Sequence, residues 1–424
     1  MPTVRGILVG LGGFGLMLLG RFFGADGLLQ VGFGLLVLIL AALVVVRFSR
    51  HRLQVTRRIT PERAHAEQAV TVTLVVRNTG GGRAPVLMLE DVLPVDVSGR
   101  ARFTLLGLEP AGSRTIGYEI RAPRRGRYEI GPLRVTFTDP FGLARSRDRV
   151  AGTDQLLVHP RVEQLASPRD LGQYRSPAVS ALRQLTGARG DDFYTLREYA
   201  EGDDLRKIHW PSTAKRDRFM IRQEETPWHT RATILLDDRA EAHAGMGPRS
   251  SFERAVEAAA SLAGLYSRSG YSFRLVLATD RGLPSSRGDE HFMACLDLLA
   301  TLTPARDAAS EAFTARIGEL QARGPAEGTL VAVSGLMDLE GAVALGECRR
   351  RFRDVFAILI PRARFAASGV GDAGTATAVS QLARSGVRPI VIGPGESLRR
   401  AWAAMSFGRY GVTERAWEQR QERA

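Results

Sequence analysis

Residues 231–241 read RATILLDDRAE, a short apolar run that ends in two aspartates. The uncharged part, residues 232–236, predicts a buried β-strand that ends at Asp237. Similar apolar runs alternate with segments of helical periodicity farther along the chain: strands at residues 272–278, 329–333, 355–360 and 389–392, and helices at residues 252–266, 290–301 and 309–322. Strands separated by helices predict a mostly parallel, doubly wound α/β domain over residues 228–410, before a polar tail at residues 411–424.

Functional sites of such sheets lie beyond the carboxyl ends of the strands. In this chain those ends carry residues 237–241 and residues 334–338. The first stretch contains three acids and the second ends in Asp338, and we therefore treat both as candidate site residues.

The N-terminal region, residues 1–50, predicts a membrane hairpin. Residues 4–20 are apolar except for Arg5, and residues 28–46 contain no charge. Because about twenty apolar residues span a bilayer, we expect two transmembrane helices joined by a turn at residues 21–27. Gly6 and Gly10 form a G-x-x-x-G spacing that allows close helix packing, either with the second helix or in a dimer.

Arginine placement predicts the orientation of this hairpin. The second apolar segment is followed by a cluster of basic residues: Arg47, Arg50, Arg52, Arg57 and Arg58. By the positive-inside rule, the N-terminus and the domains after the hairpin lie in the cytoplasm. The sequence thus predicts a multi-pass cell-membrane protein, with these arginines placed to contact the anionic head groups of the lipid bilayer.

Residues 51–165 show a period of two instead. Val70, Val72, Leu74 and Val76 alternate with outward positions, and similar patterns recur at residues 114–121, 125–132 and 133–138. Short alternating strands separated by Gly and Pro turns predict an all-β, immunoglobulin-like sandwich. We expect this domain to be a spacer or a binding module.

Composition excludes several classes of protein. The chain has 424 residues, of which 44% are hydrophobic and 24% charged, so it is not wholly disordered. Its two cysteines, Cys295 and Cys348, are too few for a disulfide framework or a four-thiolate zinc site, and we expect buried, reduced thiols. The net charge is +13, but only two of the 58 basic residues are lysines. This skew indicates coding bias, so we expect no nucleic-acid partner.

Common catalytic and nucleotide-binding motifs are missing from the sequence. It contains no G-K-[ST], H-E-x-x-H, C-x-x-C or G-x-S-x-G. The G-x-G-x-x-G at residues 10–15 lies inside an apolar segment and follows no strand, so it does not predict a dinucleotide site.

The segment at residues 166–227 connects the two predicted domains and contains the densest mixture of charges and aromatic rings. Its candidate residues are Asp191, Asp192, Phe193, Arg197, Glu198, Tyr199, Gly202, Asp203, Asp204, Arg206, His209, Trp210 and Lys215. Three interpretations stay open. Asp191, Asp203, Asp204 and His209 would serve a metal-dependent or hydrolytic enzyme. The charges and rings would alternatively bind a partner protein, or form an internal network that fixes this segment to the next domain.

This segment resembles the signature of the family called domain of unknown function 58. The matching residues are Phe193, Leu196, Arg197, Glu198, Tyr199, Gly202, Asp203, Asp204, Arg206, Ile208, His209, Trp210 and Ala214. An upstream run resembles the same family, at Arg124, Arg125, Gly126, Tyr128, Ile130, Gly131, Pro132, Asp139, Pro140, Phe141, Gly142 and Leu143. The resemblance implies a non-enzymatic membrane adaptor with a von Willebrand factor type A-like C-terminal domain. It also implies a MoxR-type AAA+ ATPase partner and, in some members, a transglutaminase-like membrane protein.

Von Willebrand A domains often hold magnesium on a D-x-S-x-S loop and on an aspartate that follows a later strand. In this chain Asp237 fits the first position, but Arg239 and Glu241 replace the two serines, and Ser334 stands where the later aspartate is expected. Magnesium needs oxygen ligands, so the resemblance implies a degenerate site without metal or cofactor. We expect Arg239 to pair with Asp237 or Glu241 in place of the ion.

Overall fold

The computed structural model describes residues 1–48, 53–84, 86–166, 194–198, 208, 210–216, 218–224, 231–280, 282–322, 327–366 and 373–407. The chain divides into two compact units, Met1–His159 and Pro160–Ala424.

The first unit begins with two apolar helices, α1 (Val4–Phe23) and α2 (Asp26–Phe48). Both are long and apolar enough to cross a membrane, which agrees with the predicted hairpin. Helix α1 ends at Phe23 and is capped by Gly24, whose φ of 63° reverses the chain directly into α2. The connection is therefore shorter than the turn predicted at residues 21–27, and Arg21 lies within α1.

Glycines set the distance between α1 and α2. A methyl group added to Gly32 would lie 2.6 Å from the Gly13 carbonyl oxygen, so the two backbones approach too closely for any larger residue. Gly10 faces Ile39 of α2, whereas Gly6 faces the Leu143 carbonyl of the β-rich region. The predicted G-x-x-x-G pair is thus split between two partners, and Gly13 and Gly32 form the closest contact.

The β-rich region of the first unit forms three sheets from the strands that the structure describes. The strands are β1 (Leu53–Thr60), β2 (Arg63–His65), β3 (Ala69–Asn78), β4 (Leu87–Asp91), β5 (Ser98–Gly99), β6 (Arg102–Leu105), β7 (Ser113–Arg121), β8 (Gly126–Ile130), β9 (Leu133–Thr138), β10 (Arg145–Ala151) and β11 (Asp154–His159). Their orders are β1-β3-β7-β5, β10-β9-β4-β6 and β2-β11-β8. Val72 and Leu74 of β3 share one hydrophobic core with Leu89 of β4 and Phe137 of β9. The predicted period of two is confirmed for β3.

Arg57 is buried in this region, and the expectation that it lies on lipid head groups is wrong. Its Nη2 donates to Asp91 Oδ1 at 2.6 Å and its Nη1 donates to Asp154 Oδ2 at 2.5 Å. The Tyr118 hydroxyl donates to Asp91 Oδ2 at 2.6 Å. Burial, together with the hydrogen bond to Asp91, raises the pKa of Tyr118, so the phenol stays protonated. This network ties β1, β4 and β7 together.

The second unit contains a small antiparallel pair, β12 (Tyr194–Glu198) with β13 (Met220–Glu224), and helix α3 (Trp210–Arg216) between them in sequence. A six-stranded sheet follows, with the order β16-β15-β14-β17-β18-β19. Its strands are β14 (Arg231–Leu236), β15 (Ser272–Leu277), β16 (Leu283–Ser286), β17 (Glu327–Ser334), β18 (Phe352–Leu359) and β19 (Arg388–Val391). All pairings are parallel except that of the edge strand β16.

Helices cover both faces of this sheet. They are α4 (Ser251–Arg268), α5 (Gly288–Thr301), α6 (Ala312–Ala322), α7 (Leu339–Glu347), α8 (Ala373–Arg384) and α9 (Leu398–Phe407). Ile234 and Leu236 point to the core shared with α4, α5 and α9, whereas Leu235 points to the core shared with α6, α7 and α8. The predicted doubly wound α/β region is therefore confirmed.

Residues 160–166 belong to the second unit and are fixed to α9. The Glu163 carboxylate accepts hydrogen bonds from the Ser397 hydroxyl at 2.8 Å, the Arg399 backbone at 2.9 Å and Arg254 at 2.8 Å. The Trp402 indole donates to the Ala166 carbonyl at 3.1 Å. This segment is therefore part of the α/β fold and not a free linker.

Candidate functional site

The candidate site lies at the carboxyl ends of β14 and β17, the two central strands of the six-stranded sheet. From this pair the chain continues outward in opposite directions, through β15 on one side and β18 on the other. Such a reversal opens a crevice in α/β sheets, and ligands bind there in many proteins of this architecture. In this chain, Arg239 and its acidic partners occupy the position.

Arg239 and Asp237 form a buried, bidentate ion pair. Arg239 Nε donates to Asp237 Oδ1 at 2.9 Å, and Nη2 donates to Oδ2 at 2.9 Å. The Ser334 hydroxyl, at the end of β17, donates to the same Oδ2 at 2.7 Å. Asp237 and Ser334 have no exposed surface, and Arg239 is 5% exposed. The pairing expected from the sequence is present, and both carboxylate oxygens of Asp237 are occupied.

The remaining guanidinium nitrogen, Nη1, reaches the next acid. It donates to Glu241 Oε1 at 3.0 Å and to the Ser310 carbonyl oxygen. The Ser310 hydroxyl donates in turn to Glu241 Oε2 at 3.0 Å, and the Phe313 ring lies 5.6 Å below the guanidinium carbon. Burial opposes the charge, but hydrogen bonding and attraction to Asp237 raise the pKa of Arg239 above its ordinary value. The arginine is therefore a permanent cation held by two carboxylates.

The other polar groups around this cluster also have internal partners. Asp238 accepts hydrogen bonds from the Thr279 backbone at 3.0 Å and from the Thr279 hydroxyl. His243 Nε2 lies 2.7 Å from the Asp237 carbonyl oxygen, and burial lowers the pKa of His243. Asp338 accepts from the Gly341 backbone at 2.7 Å and caps α7. These acids are committed to holding loops in place.

The chemistry open to this cluster is limited. Among the residues that the structure describes, no group of three or more His, Cys, Asp or Glu side chains is arranged to hold a metal ion. Cys295 and Cys348 are buried, and burial raises their pKa values to about 12 and about 11, respectively. The expected burial of both thiols is confirmed, and thiols with raised pKa values are weak nucleophiles at neutral pH.

Much of the signature segment lies outside the described residues. This applies to Asp191, Asp192, Phe193, Tyr199, Gly202, Asp203, Asp204, Arg206 and His209. Arg197 and Glu198 lie on β12, opposite Ile221 and Met220 of β13. All four residues of the enzymatic interpretation lie outside the described residues, so that interpretation stays a prediction.

The described part of the signature exposes two aromatic rings. Trp210, at the start of α3, is 64% exposed, and Phe219, just before β13, is 54% exposed. The ring centroids lie 6.4 Å apart in an edge-to-face arrangement. Beneath them, Met220 is buried, and its backbone N–H donates to the Thr213 hydroxyl at 3.0 Å. Lys215 is exposed on α3. We call Trp210 and Phe219 the aromatic pair; Phe219 was not among the predicted residues.

The chain thus combines an apolar helix hairpin, a β-rich region and an α/β domain. In the α/β domain, Arg239 occupies the position at the carboxyl ends of β14 and β17. Residues 195–366 match the model of a family described as "Protein of unknown function DUF58". The match confirms the resemblance that the signature predicted.

The chain is also similar to "Uncharacterized protein YeaD" of Bacillus subtilis (strain 168). The two are 23% identical over 275 residues, which cover 63% of this chain and 67% of that protein. Among solved structures, the CARDB domain of the PF1109 protein from Pyrococcus furiosus is 16% identical, with a TM-score of 0.21 over 26% of this chain and 96% of that chain. The sporulation control protein Spo0M of Bacillus subtilis is 13% identical, with a TM-score of 0.16 over 34% of this chain and 57% of that chain. Similarities of this size assign no fold.

Proposed function

We propose that the protein is a non-enzymatic, membrane-anchored adaptor that binds a MoxR-type AAA+ ATPase in the assembly of envelope or membrane complexes. In this proposal the β-rich region is an immunoglobulin-like sandwich and the α/β unit is a degenerate von Willebrand A-like domain. Both lie in the cytoplasm, and the hairpin α1–α2 spans the cell membrane.

The observation that carries the proposal is the aromatic pair on the signature segment. Large exposed rings are costly on the surface of a soluble domain and are enriched at protein interfaces, where Trp often contributes most of the binding energy. Lys215 on the same short helix adds a positive charge at the rim. The residue types suit a partner surface with an apolar pocket and acidic surroundings.

The strand-end cluster supports a non-enzymatic role. The acids at this position are already satisfied by Arg239, Ser334 and backbone groups. A general base or a metal ligand needs a carboxylate with a free oxygen, and Asp237 has none.

The orientation proposed for the hairpin is supported at its ends. The Thr3 backbone N–H donates to the Leu143 carbonyl at 2.8 Å, so the start of α1 is attached to the β-rich region. Because β1 follows α2, both ends of the hairpin lie on the side of the β-rich region. Because the hairpin crosses the membrane twice, its two ends lie on the same side. Arg47, near the end of α2, fits a cytoplasmic location for that side.

Affinity purification of the full-length protein from mild detergent tests the proposal, with and without a non-hydrolysable ATP analogue, followed by mass spectrometry. The decisive variants are Trp210→Ala and Lys215→Glu. Leu339→Ala and Arg249→Glu are the controls. Leu339 is an exposed apolar side chain and Arg249 an exposed basic side chain, and both lie elsewhere in the second unit.

We expect a MoxR-type ATPase in the purified complex, lost with both signature variants and retained with both controls. Equal loss with Leu339→Ala would show that the aromatic pair is not the binding surface. Absence of any ATPase from every sample, or hydrolytic turnover by the purified protein, would overturn the adaptor function.

A further inference from the structure

The N-terminal residues are fastened to one turn of the β-rich region. The Thr3 hydroxyl donates to the Gly142 carbonyl at 2.6 Å, and the Arg145 backbone donates to the Met1 carbonyl at 2.9 Å. This turn, residues 139–144 between β9 and β10, therefore lies at the level where α1 begins.

The same turn is rigid. Asp139 accepts hydrogen bonds from the backbone of Phe141 at 2.9 Å and from that of Ala144, and Gly142 adopts a φ of 72°. Leu143 and Ala144 are buried, but Phe141 is 64% exposed. The turn thus holds a large aromatic ring in solvent beside the start of a membrane-spanning segment.

Strand register places two more loops at this end of the β-rich region. Leu87 pairs with Phe137, near the end of β9, and also with Leu105 at the end of β6. Val86 and Leu106 are the residues just beyond those pairs, on the side of the 139–144 turn. They are 53% and 67% exposed, respectively.

Asn78 holds these loops together. Its side-chain amide donates to the Gly82 carbonyl at 2.8 Å and to the Leu108 carbonyl at 3.0 Å. Asn78 also pairs with Leu53, the first described residue after α2. These loops therefore lie at the same end of the β-rich region as Thr3, before the hairpin, and Leu53, after it.

We propose that Val86, Leu106 and Phe141, which we call the apolar rim, are inserted among the lipid head groups of the bilayer that the hairpin spans. The inference rests on the proposed membrane anchoring and adds a second contact to it. Apolar and aromatic side chains beside a membrane-spanning helix gain by leaving water for the interface. Arg5 lies beside Gly142 and suits anionic head groups; Arg83, beside Gly107, also pairs with Glu109 at 3.1 Å.

The position of the apolar rim favours lipid over a protein partner. Its three residues come from three separate loops, yet all lie at the end of the β-rich region that holds the start of α1. A bilayer spanned by α1 must reach this level, whereas a protein partner would have to fit between the loops and the membrane. The opposite end carries Val95, which is fully exposed and provides a matched comparison.

Single cysteines carrying an environment-sensitive fluorophore test the inference in the full-length protein. Val86→Cys, Leu106→Cys and Phe141→Cys probe the rim, Val95→Cys the far end and Val37→Cys the middle of α2. Cys295 and Cys348 are buried with raised pKa values, so the native chain is the labelling blank. The proteins are reconstituted into phosphatidylcholine–phosphatidylglycerol vesicles with nitroxide lipids that quench at shallow or deep positions.

We expect blue-shifted emission and loss of intensity with shallow nitroxides at all three rim positions, and water-like, unquenched emission at Val95. Val37→Cys should be quenched by deep nitroxides. If the rim behaves like Val95 while Val37→Cys is quenched, the rim contact is refuted but the anchor stands. If Val37→Cys is itself unquenched, the membrane anchoring fails and the rim contact fails with it.

Discussion

Replacing Arg239 should destabilise the second unit more than any surface ion-pair variant. In Arg239→Met, Asp237 would remain buried, with only the Ser334 hydroxyl at 2.7 Å as its side-chain partner. Leaving one charge of a buried pair uncompensated costs about 3–5 kcal/mol. The lost contact with Glu241 adds little, because the Glu241 side chain is 40% exposed and screened by water.

The reverse variant and the double variant complete a thermodynamic cycle. Asp237→Asn leaves the guanidinium with Glu241 and the Ser310 carbonyl as partners, so we expect a smaller cost of about 1–3 kcal/mol. Removing both charges together leaves neither one unpaired. The loss of unfolding free energy in the double variant should therefore be smaller, by about 2–3 kcal/mol, than the summed losses in the two single variants.

Labelling of the native thiols measures this cost in the full-length protein. Cys295 and Cys348 lie in the two cores on opposite faces of the sheet, so a thiol reagent reaches them only when the second unit opens. Because 1.4 kcal/mol is a factor of ten, Arg239→Met should label about a hundred- to several-thousand-fold faster than the native protein.

Arg316→Met is the control for this experiment. Arg316 pairs with Glu319 at 2.8 Å on α6, where the Glu319 side chain is 47% exposed and screened by water, so loss of that pair should cost only about 0–1 kcal/mol. A coupling energy below about 0.5 kcal/mol in the Arg239–Asp237 cycle would refute the view that these charges hold each other in the fold.

Three further predictions concern the same unit. Magnesium should slow thiol labelling of Arg239→Ala but not of the native protein, because Asp237 and Glu241 would then lack their cation; equal effects on both proteins would contradict this. Burial lowers the pKa of His243, so its contribution to stability is present above about pH 6.5 and is lost as the unfolded chain takes up a proton at lower pH. His243→Gln should therefore flatten the fall in thermal stability between about pH 7 and pH 5. Burial opposes ionisation of Glu163, but hydrogen bonds from Arg399, Ser397 and Arg254 lower its pKa; Glu163→Gln should speed hydrogen exchange in α9 at neutral pH and leave β14 unchanged.

The sequence predicted those elements of the fold whose burial follows a regular period or a continuous apolar run. Val70–Val76 alternation marked β3, and the uncharged run before Asp237 marked β14. It did not identify β16, whose residues Leu283, Pro284, Ser285 and Ser286 show no apolar pattern. An edge strand pairs on one side only and does not need such a pattern. Arg57 misled the prediction in another way, because an arginine near a membrane segment can also be the buried partner of an aspartate.

The candidate site was predictable where its residues correspond to the metal positions of von Willebrand A domains. That comparison placed Asp237, Arg239, Glu241 and Ser334 at one site and predicted that Arg239 pairs with Asp237 or Glu241. Ser310, just before α6, and Phe313, in the first turn of α6, complete the cluster from about 70 residues away in sequence, and no local pattern indicates such a contact. Phe219 was missed because an apolar residue before a strand is usually buried, whereas this one lies in contact with Trp210 on the surface.

Arg239 has a consequence for how the protein could respond to signals. A metal held at this position would make the strand ends depend on the metal and on pH, whereas a guanidinium is covalently attached and charged at every physiological pH. The arrangement of the loops that hold Asp237, Glu241 and Ser310 therefore does not depend on the binding of an ion. Among the described residues, the exposed aromatic pair is accessible to a partner, whereas this buried cluster is not. In the adaptor proposal the aromatic pair meets the ATPase, and the strand-end cluster keeps the α/β core stable without itself being the switch.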